Sequence, residues 1–249
     1  MKTTVCYIIT SDNPSSIFTF DNANYQLKER ESEFEEAPKE FYHSLGETEV
    51  DILVGIYSDV CDSVADYFKK KAKEIITIPS NYTTAEAYNI LFKKCYNKYV
   101  CVLPNNSFLH RTWLSELVFY AENIPNTGFA GIPNSVLGCE YSPMVTHDLE
   151  SFLNVFKPKS LTIDTNLPFL FTTKLLFELG GLKEDKEING YEFYHYQLRV
   201  IYYGLTNYYI SNISGVSLPV MVKNFDNAKY KAEKSVEQMR KDKSLYISF

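Results

Sequence analysis

Nowhere does the sequence hold a run of roughly 18 apolar residues, the length a membrane-crossing helix needs, and no span is expected. The first apolar run, Val5 to Ile9, is also far short of a secretory signal core, which makes the cytoplasm the expected location. The five cysteines, Cys6, Cys61, Cys95, Cys101 and Cys139, contain no Cys-x-x-Cys pair. An odd number of thiols, mostly within apolar segments, points to reduced core cysteines and away from zinc. No Gly-x-Gly-x-x-Gly follows the first apolar run, which argues against a dinucleotide-dependent dehydrogenase. A basic excess is missing as well, since 25 Lys and Arg stand against 31 Asp and Glu for a net charge of −6. The one basic cluster, Lys69-Lys70-Lys71-Ala72-Lys73, closes a predicted helix, where cations complement the dipole, and no nucleic-acid partner is expected. With no repeat, low-complexity tract or linker, 249 residues at 45% hydrophobic read as one α/β domain with a full core.

What is present is organised around Glu74 to Phe129. The spacing predicts a strand over Ile75–Ile78, a helix over Thr84–Asn97, a strand over Tyr99–Leu103 and a helix over Arg111–Glu122, with another apolar segment from Gly128. Thr83 and Glu86 have the spacing by which a hydroxyl and a carboxylate satisfy each other's free backbone N–H groups at a helix start. Tyr99-Val100-Cys101-Val102-Leu103 is continuous, short and rich in strand formers, the pattern of a buried parallel strand. Such a strand delivers its following turn, Pro104-Asn105-Asn106-Ser107, to the carboxyl edge of the sheet, where open α/β sheets bind ligands.

Taken in order, Thr4 to Ile9 is the first strand and leads into the polar turn Thr10-Ser11-Asp12-Asn13-Pro14, a second candidate edge. Residues 17 to 49 are irregular and acidic and are assigned no chemistry. Asp51–Ile56 is the next strand, and Asp59 is placed either to cap the helix that carries Val60, Val64, Ala65, Phe68 and Ala72 or to face a ligand. Residues 131 to 160 are irregular, the expected acceptor-side loop, with His147 a phosphate-side candidate. Leu161–Phe171 is strand-like, Thr173–Leu179 and Tyr191–Tyr203 are helices ended by glycines, and Asn207–Ile210 and Val216–Val222 are strands. Asp226–Asp242 is an amphipathic helix with Ala228, Ala232, Val236 and Met239 inward.

Three stretches in this order resemble the family 2 nucleotide-sugar glycosyltransferases of the GT-A fold. They are Val5 to Asn13; Asn81 to Pro125, opening on Asn81-Tyr82-Thr83-Thr84-Ala85-Glu86-Ala87-Tyr88-Asn89; and Phe169 to Gly204, with Leu179-Gly180-Gly181-Leu182 and Gly190-Tyr191-Glu192. The resemblance implies a single Rossmann-like GT-A domain with a mainly parallel central sheet and helices on both faces, and Val5–Ile9, Asp51–Ile56, Ile75–Ile78 and Tyr99–Leu103 are the expected central strands. Residues 1–130 would form the nucleotide-binding half, 131–225 the acceptor-side half and 226–249 a C-terminal helix. It further implies a UDP- or GDP-sugar donor, held by Thr10, Ser11, Asp12, Asp59 and Asn105, and a glycan, lipid or protein acceptor.

Two departures qualify what is implied. At the turn where the family carries Asp-X-Asp stand Pro104, Asn105 and Asn106, which offer amide oxygens but no charge to a divalent ion, so no metal ligands are assigned. Where the family shows Glu-Asp, Glu192 is followed by Phe193, leaving Glu192 as the candidate base for an inverting transfer or, on the plainer reading, a carboxylate favoured at a helix start. His195, on the same helix, would orient substrate, take the proton, bind phosphate or simply pack. Arg199 would pair with a carboxylate or reach a phosphate. Two functions follow: a nucleotide-sugar glycosyltransferase, or a GT-A-like binding or structural protein that has lost its chemistry.

Overall fold

The computed structural model describes residues 2–9, 18–19, 49–60, 66, 68–69, 72–104, 107–109, 112–132, 168–210, 215–217 and 225–248. In chain order these form β1 (Thr3–Ile9), β2 (Phe18–Thr19), β3 (Val50–Tyr57), β4 (Glu74–Ile78), α1 (Thr84–Phe92), β5 (Tyr99–Leu103), β6 (Ser107–Leu109), α2 (Trp113–Asn123) and β7 (Thr127–Gly131). There follow β8 (Phe169–Thr172), α3 (Thr173–Leu179), a 3-10 turn (Lys186–Ile188), α4 (Glu192–Tyr202), β9 (Thr206–Tyr209), β10 (Gly215–Ser217) and α5 (Phe225–Lys241).

Seven strands make one sheet in the order β4-β3-β1-β5-β8-β7-β9, and β10-β6-β2 make a small second one. In the large sheet β4, β3, β1 and β5 run parallel, β8 is antiparallel to both β5 and β7, and β9 is parallel to β7. The sheet is therefore mixed but mainly parallel. Every residue of β1 and β5 is buried, because both faces of the sheet are covered and a polar side chain on either would lose its water.

Alternate residues divide between two cores. Val5, Tyr7, Tyr99, Cys101 and Leu103 pack with Trp113, Leu114 and Leu117 of α2 and with Phe68. Cys6, Ile8, Val100 and Val102 pack with Leu91 and Phe92 of α1, Leu175 and Leu176 of α3, and Tyr196 and Val200 of α4. Each such fully buried side chain contributes roughly 1.5–3 kcal/mol, so the two-residue period of β1 and β5 anchors both layers at once.

Two expectations are corrected. Ile75–Ile78 is not a central strand: β4 ends the described strand order, and its burial is mixed because one side has no described strand pairing. The helix expected to reach Asn97 stops at Phe92, where Lys94 and Cys95 donate to Leu91 and Phe92 in tight three-residue steps. Asn97 is needed elsewhere, its amide donating to Thr4 Oγ1 at 2.9 Å and to Asp51 Oδ2 at 3.0 Å. Burial pushes the Asp51 carboxyl up, yet hydrogen bonds from Lys2, Lys73 and Asn97 outweigh it and hold the group at about 2. Lys73 of the basic cluster thus pairs with Asp51 at 2.6 Å, and Lys69 pairs with Asp66. The start of α1 is as expected: Glu86 N donates to Thr83 Oγ1 at 3.3 Å and Thr83 N to Glu86 Oε2 at 2.6 Å.

Candidate functional site

Because β1, β3 and β5 are adjacent and parallel, their carboxyl ends, Ile9, Tyr57 and Leu103, lie along one edge. Helix α4 can be placed against that edge from its packing. Phe193 in its first turn stacks edge-on with Phe169 at 5.0 Å, and Phe169 pairs with Val102 near the end of β5. At its other end, Val200 lies under Gly128 near the start of β7, so close that a Cβ on Gly128 would come within 2.3 Å of the valine. The helix therefore runs from the carboxyl edge towards the amino edge, and its first residue, Glu192, belongs to the edge where ligands bind.

Glu192 is 4% exposed. Burial raises its carboxyl above the ordinary range, and the backbone N–H groups of Glu192 and Gly190 oppose that rise by donating to it. The phenol of Tyr57, the last residue of β3, donates to the Tyr82 carbonyl at 3.1 Å. Burial raises its pKa first, followed by the negative charges of Glu86, Glu192 and Asp59. The charges of three carboxylates from three separate segments thus act on one half-buried ring at the carboxyl end of β3. Asp59 is exposed in the turn after β3, and Glu86 caps α1 from its first turn. The charge of Lys186 acts on Glu86.

Among the sequence-derived candidates, Asp59 and Glu192 each act by charge on Tyr57, whereas Thr10, Ser11, Asp12, Asn105, Asn106 and His147 lie outside the described residues. His195 is placed elsewhere. Its ring is fully buried, and Nε2 shares a hydrogen bond of 3.1 Å with Ser235 Oγ on α5. Burial, then the charges of Arg199 and Lys183, lower its pKa to about 3, which leaves a neutral imidazole facing the C-terminal helix.

Among the described residues Arg199 pairs with no carboxylate. Its guanidinium donates to the carbonyls of Leu179 at 2.8 Å, Leu245 at 3.1 Å and Gly181, and it lies over the Tyr196 ring. Helix α3 ends there with carbonyls that have no intrahelical partner, and an arginine fork satisfies several of them at once. Burial lowers Arg199 only to about 10, so it stays charged at neutral pH.

Asn89 is a residue whose importance sequence reasoning passed over. It sits in the buried stripe of α1 with Ala85, Tyr88 and Phe92, and a polar side chain inside such a stripe needs partners. Its Nδ2 donates to the Leu182 carbonyl at 2.9 Å and to Glu184 Oε1 at 2.8 Å, and the Leu182 N–H donates back to Oδ1 at 2.8 Å. The polar residue in an apolar helical period was the available signal. Tyr57 and Lys186 gave none, since their relevance depends on which segments meet.

Among the described residues, no three His, Cys, Asp or Glu side chains are grouped so as to hold a metal ion. The turn after β5 adds only the neutral amides of Asn105 and Asn106. Those amides are neutral oxygens, whereas a tightly held divalent cation favours several carboxylate oxygens. No described helix is long and apolar enough to cross a membrane.

No protein-family profile matches the chain, and no curated protein sequence matches it. Solved structures do. The mannosyltransferase PcManGT from Pyrobaculum calidifontis, in complex with GDP-Man and Mn2+, is similar with a TM-score of 0.61 and 15% identity, over 96% of this chain and 63% of the other. TarS 1-349 from S. aureus, in complex with UDP-GlcNAc, gives 0.62 and 12% over 96% and 67%. Glucosyl-3-phosphoglycerate synthase from Mycobacterium tuberculosis, with Mn2+, UDP-Glc and phosphoglyceric acid, gives 0.54 and 10% over 95% and 79%. This chain spans less than two thirds of the mannosyltransferase's length. These neighbours are GT-A-type glycosyltransferases, and the chain shares their α/β fold as a single domain.

Proposed function

We propose that the protein transfers a sugar from a UDP- or GDP-sugar donor to a hydroxyl of a glycan, lipid or protein acceptor, with inversion at the anomeric carbon. The observation that carries this reading is the buried Glu192 at the start of α4, whose neighbour Phe193 packs on Phe169 at the carboxyl edge of a GT-A-like sheet. Residues 1–130 bind the nucleotide, with Thr10, Ser11, Asp12, Asp59 and Asn105 as its contacts, and 131–225 form the acceptor side. The acceptor O–H gives its proton to the Glu192 carboxylate as its oxygen attacks the anomeric carbon. The bond from that carbon to the diphosphate breaks, and the nucleoside diphosphate leaves with the electron pair. Because burial disfavours the ionised form of Glu192, the carboxylate is a stronger base than an exposed one.

The leaving diphosphate needs positive charge, and in this reading it does not come from a resident metal. Arg199 is committed to carbonyls and His195 is neutral, so the described cation we assign to the leaving group is Lys186. We read the turn at Pro104, Asn105 and Asn106 as a substituted Asp-X-Asp motif of a family 2-like enzyme. We place the reaction in the cytoplasm, in keeping with the free buried thiols Cys6, Cys95 and Cys101. That same uncharged turn favours the second reading, a GT-A-like binding or structural protein without turnover. Calorimetric titration with UDP, GDP and their sugars, followed by assay of nucleoside diphosphate release, separates the two. Binding with release supports transfer, binding without release supports the second reading, and no binding removes transfer and leaves the non-enzymatic reading standing.

A further inference from the structure

The segment leading to Glu192 is held by helix α1 at two points. Asn89, 2% exposed, makes a two-way hydrogen-bonded clasp on the main chain of the fully buried Leu182, and Tyr88 beside it meets the Phe193 ring edge-on at 5.0 Å. From Asp185 onward the chain has little slack. Glu187 N donates to the Asp185 side chain at 2.9 Å, Ile188 N to Asp185 O at 3.1 Å, Tyr191 N to Ile188 O at 2.8 Å and His195 N to Tyr191 O at 2.9 Å. Ile188 is itself buried, so these turns are pinned from below. Side-chain links, Asn89 to Glu184 at 2.8 Å and Lys183 to Asp185 at 3.0 Å, join Leu182 to these hydrogen-bonded turns, so that a shift at Leu182 is passed to the first residue of α4. An apolar side chain in place of Asn89 would leave the buried N–H and C=O of Leu182 unpaired, which the segment relieves by moving.

We propose that Asn89 is a positioning residue for Glu192: by fixing the main chain at Leu182, it sets where the carboxyl stands against the carboxyl edge of the sheet. The catalytic consequence rests on the transfer reading above, while the positional one does not. Misplacing a base by an ångström or less is enough to lower turnover strongly without touching donor contacts made elsewhere.

The test uses Asn89→Leu, near in shape and without a new charge to act on Glu192, in the full chain. Carbon NMR of side-chain carboxyls, with the Glu192 signal assigned by its loss in Glu192→Gln, reads the titration of Glu192 directly. In Asn89→Leu that titration moves down towards an ordinary carboxylate as the carboxyl gains water. With whichever of UDP-glucose, UDP-GlcNAc or GDP-mannose is turned over, kcat falls about tenfold or more while KM for the nucleotide sugar stays within about twofold. Leu117→Ala is the control: it weakens the core on the opposite face of the sheet and leaves the Glu192 titration in place. If Asn89→Leu does not fold, Asn89→Ser, which leaves room for water, is read in the same way. An unchanged Glu192 titration in the Asn89 variant, or an equal shift in Leu117→Ala, overturns the proposal. If no nucleotide sugar is turned over by the parent protein, the transfer reading fails, and the titration alone still decides the role of Asn89.

Discussion

The Nε2 of His195 and the Oγ of Ser235 are 3.1 Å apart, and the same serine oxygen accepts from Lys183 Nζ at 2.9 Å. This joins α4, α5 and the segment between α3 and α4 through a histidine kept neutral by burial and by the charges of Arg199 and Lys183, against the weaker pull of Asp185. In the unfolded chain the imidazole takes a proton below about 6.5, whereas in the folded one it does so only near 3. The unfolded state therefore binds more protons through that window. Stability is full above about pH 6.5 and declines by up to about 1.4 kcal/mol per pH unit as pH falls towards 3. Urea unfolding between pH 7.5 and 5, where most carboxylates are still ionised, should show the decline in the parent and a flatter profile in His195→Gln. Equal slopes would remove His195 as the cause.

Glu192 has the opposite sign. Its folded carboxyl holds a proton more tightly than the unfolded one, so at neutral pH the ionised group costs stability. Glu192→Gln should unfold at a higher urea concentration than the parent at pH 7.5. It should also release nucleoside diphosphate about 10²–10⁴-fold more slowly, the range for loss of a general base. Nucleotide affinity should change by less than about twofold, because the base acts on the acceptor. A less stable variant with undiminished turnover would mean that Glu192 is only a helix-start carboxylate.

At the end of α3, Gly180 has φ 72°, and a Cβ there would stand 1.6 Å from the Ile247 carbonyl oxygen. The close approach lets Gly181 N donate to Ile247 O at 3.0 Å and Ile247 N to Leu179 O at 2.9 Å, beside the carbonyls held by Arg199. Gly180→Ala should cost about 3 kcal/mol or more in urea unfolding, from a disfavoured backbone together with a displaced C-terminal segment. Gly204, also at positive φ, has open space where a Cβ would stand, so Gly204→Ala should cost only the backbone part, about 1 kcal/mol. Equal costs at the two positions would show that the Ile247 contact contributes nothing.

The strands were legible because β1, β3 and β5 are covered on both faces and so read as unbroken apolar runs, Tyr99 to Leu103 above all. Thr83 and Glu86 announced the start of α1 by chemistry local to four residues. The end of α1 was not legible, since Asn97 is drawn away by Thr4 and Asp51 from distant strands. The same holds at the candidate site. Glu192 was visible through a family-like stretch, but its standing at the carboxyl edge depends on how α4 crosses the sheet, and the fate of Arg199 depends on a C-terminal carbonyl, Leu245. Periodicity states which face of an element is buried. It does not state which other element supplies the partner.

The uncharged turn after β5 bears directly on metal dependence. Asn105 and Asn106 can lend a cation two amide oxygens but cannot offset its charge, so a Mn2+ ion would rely on water and on the phosphates of the nucleotide. Nucleotide affinity measured by calorimetry should therefore shift by less than about threefold on adding EDTA. Asn106→Asp adds a carboxylate to that turn and should make affinity rise with Mn2+, since each added anionic oxygen strengthens a divalent site. The two measurements work together: indifference to EDTA in the parent with a Mn2+ response in Asn106→Asp identifies missing charge as the reason. Tight Mn2+ binding by the parent protein without nucleotide would contradict this account, because it would require carboxylate ligands that neither the turn nor the described residues supply as a group.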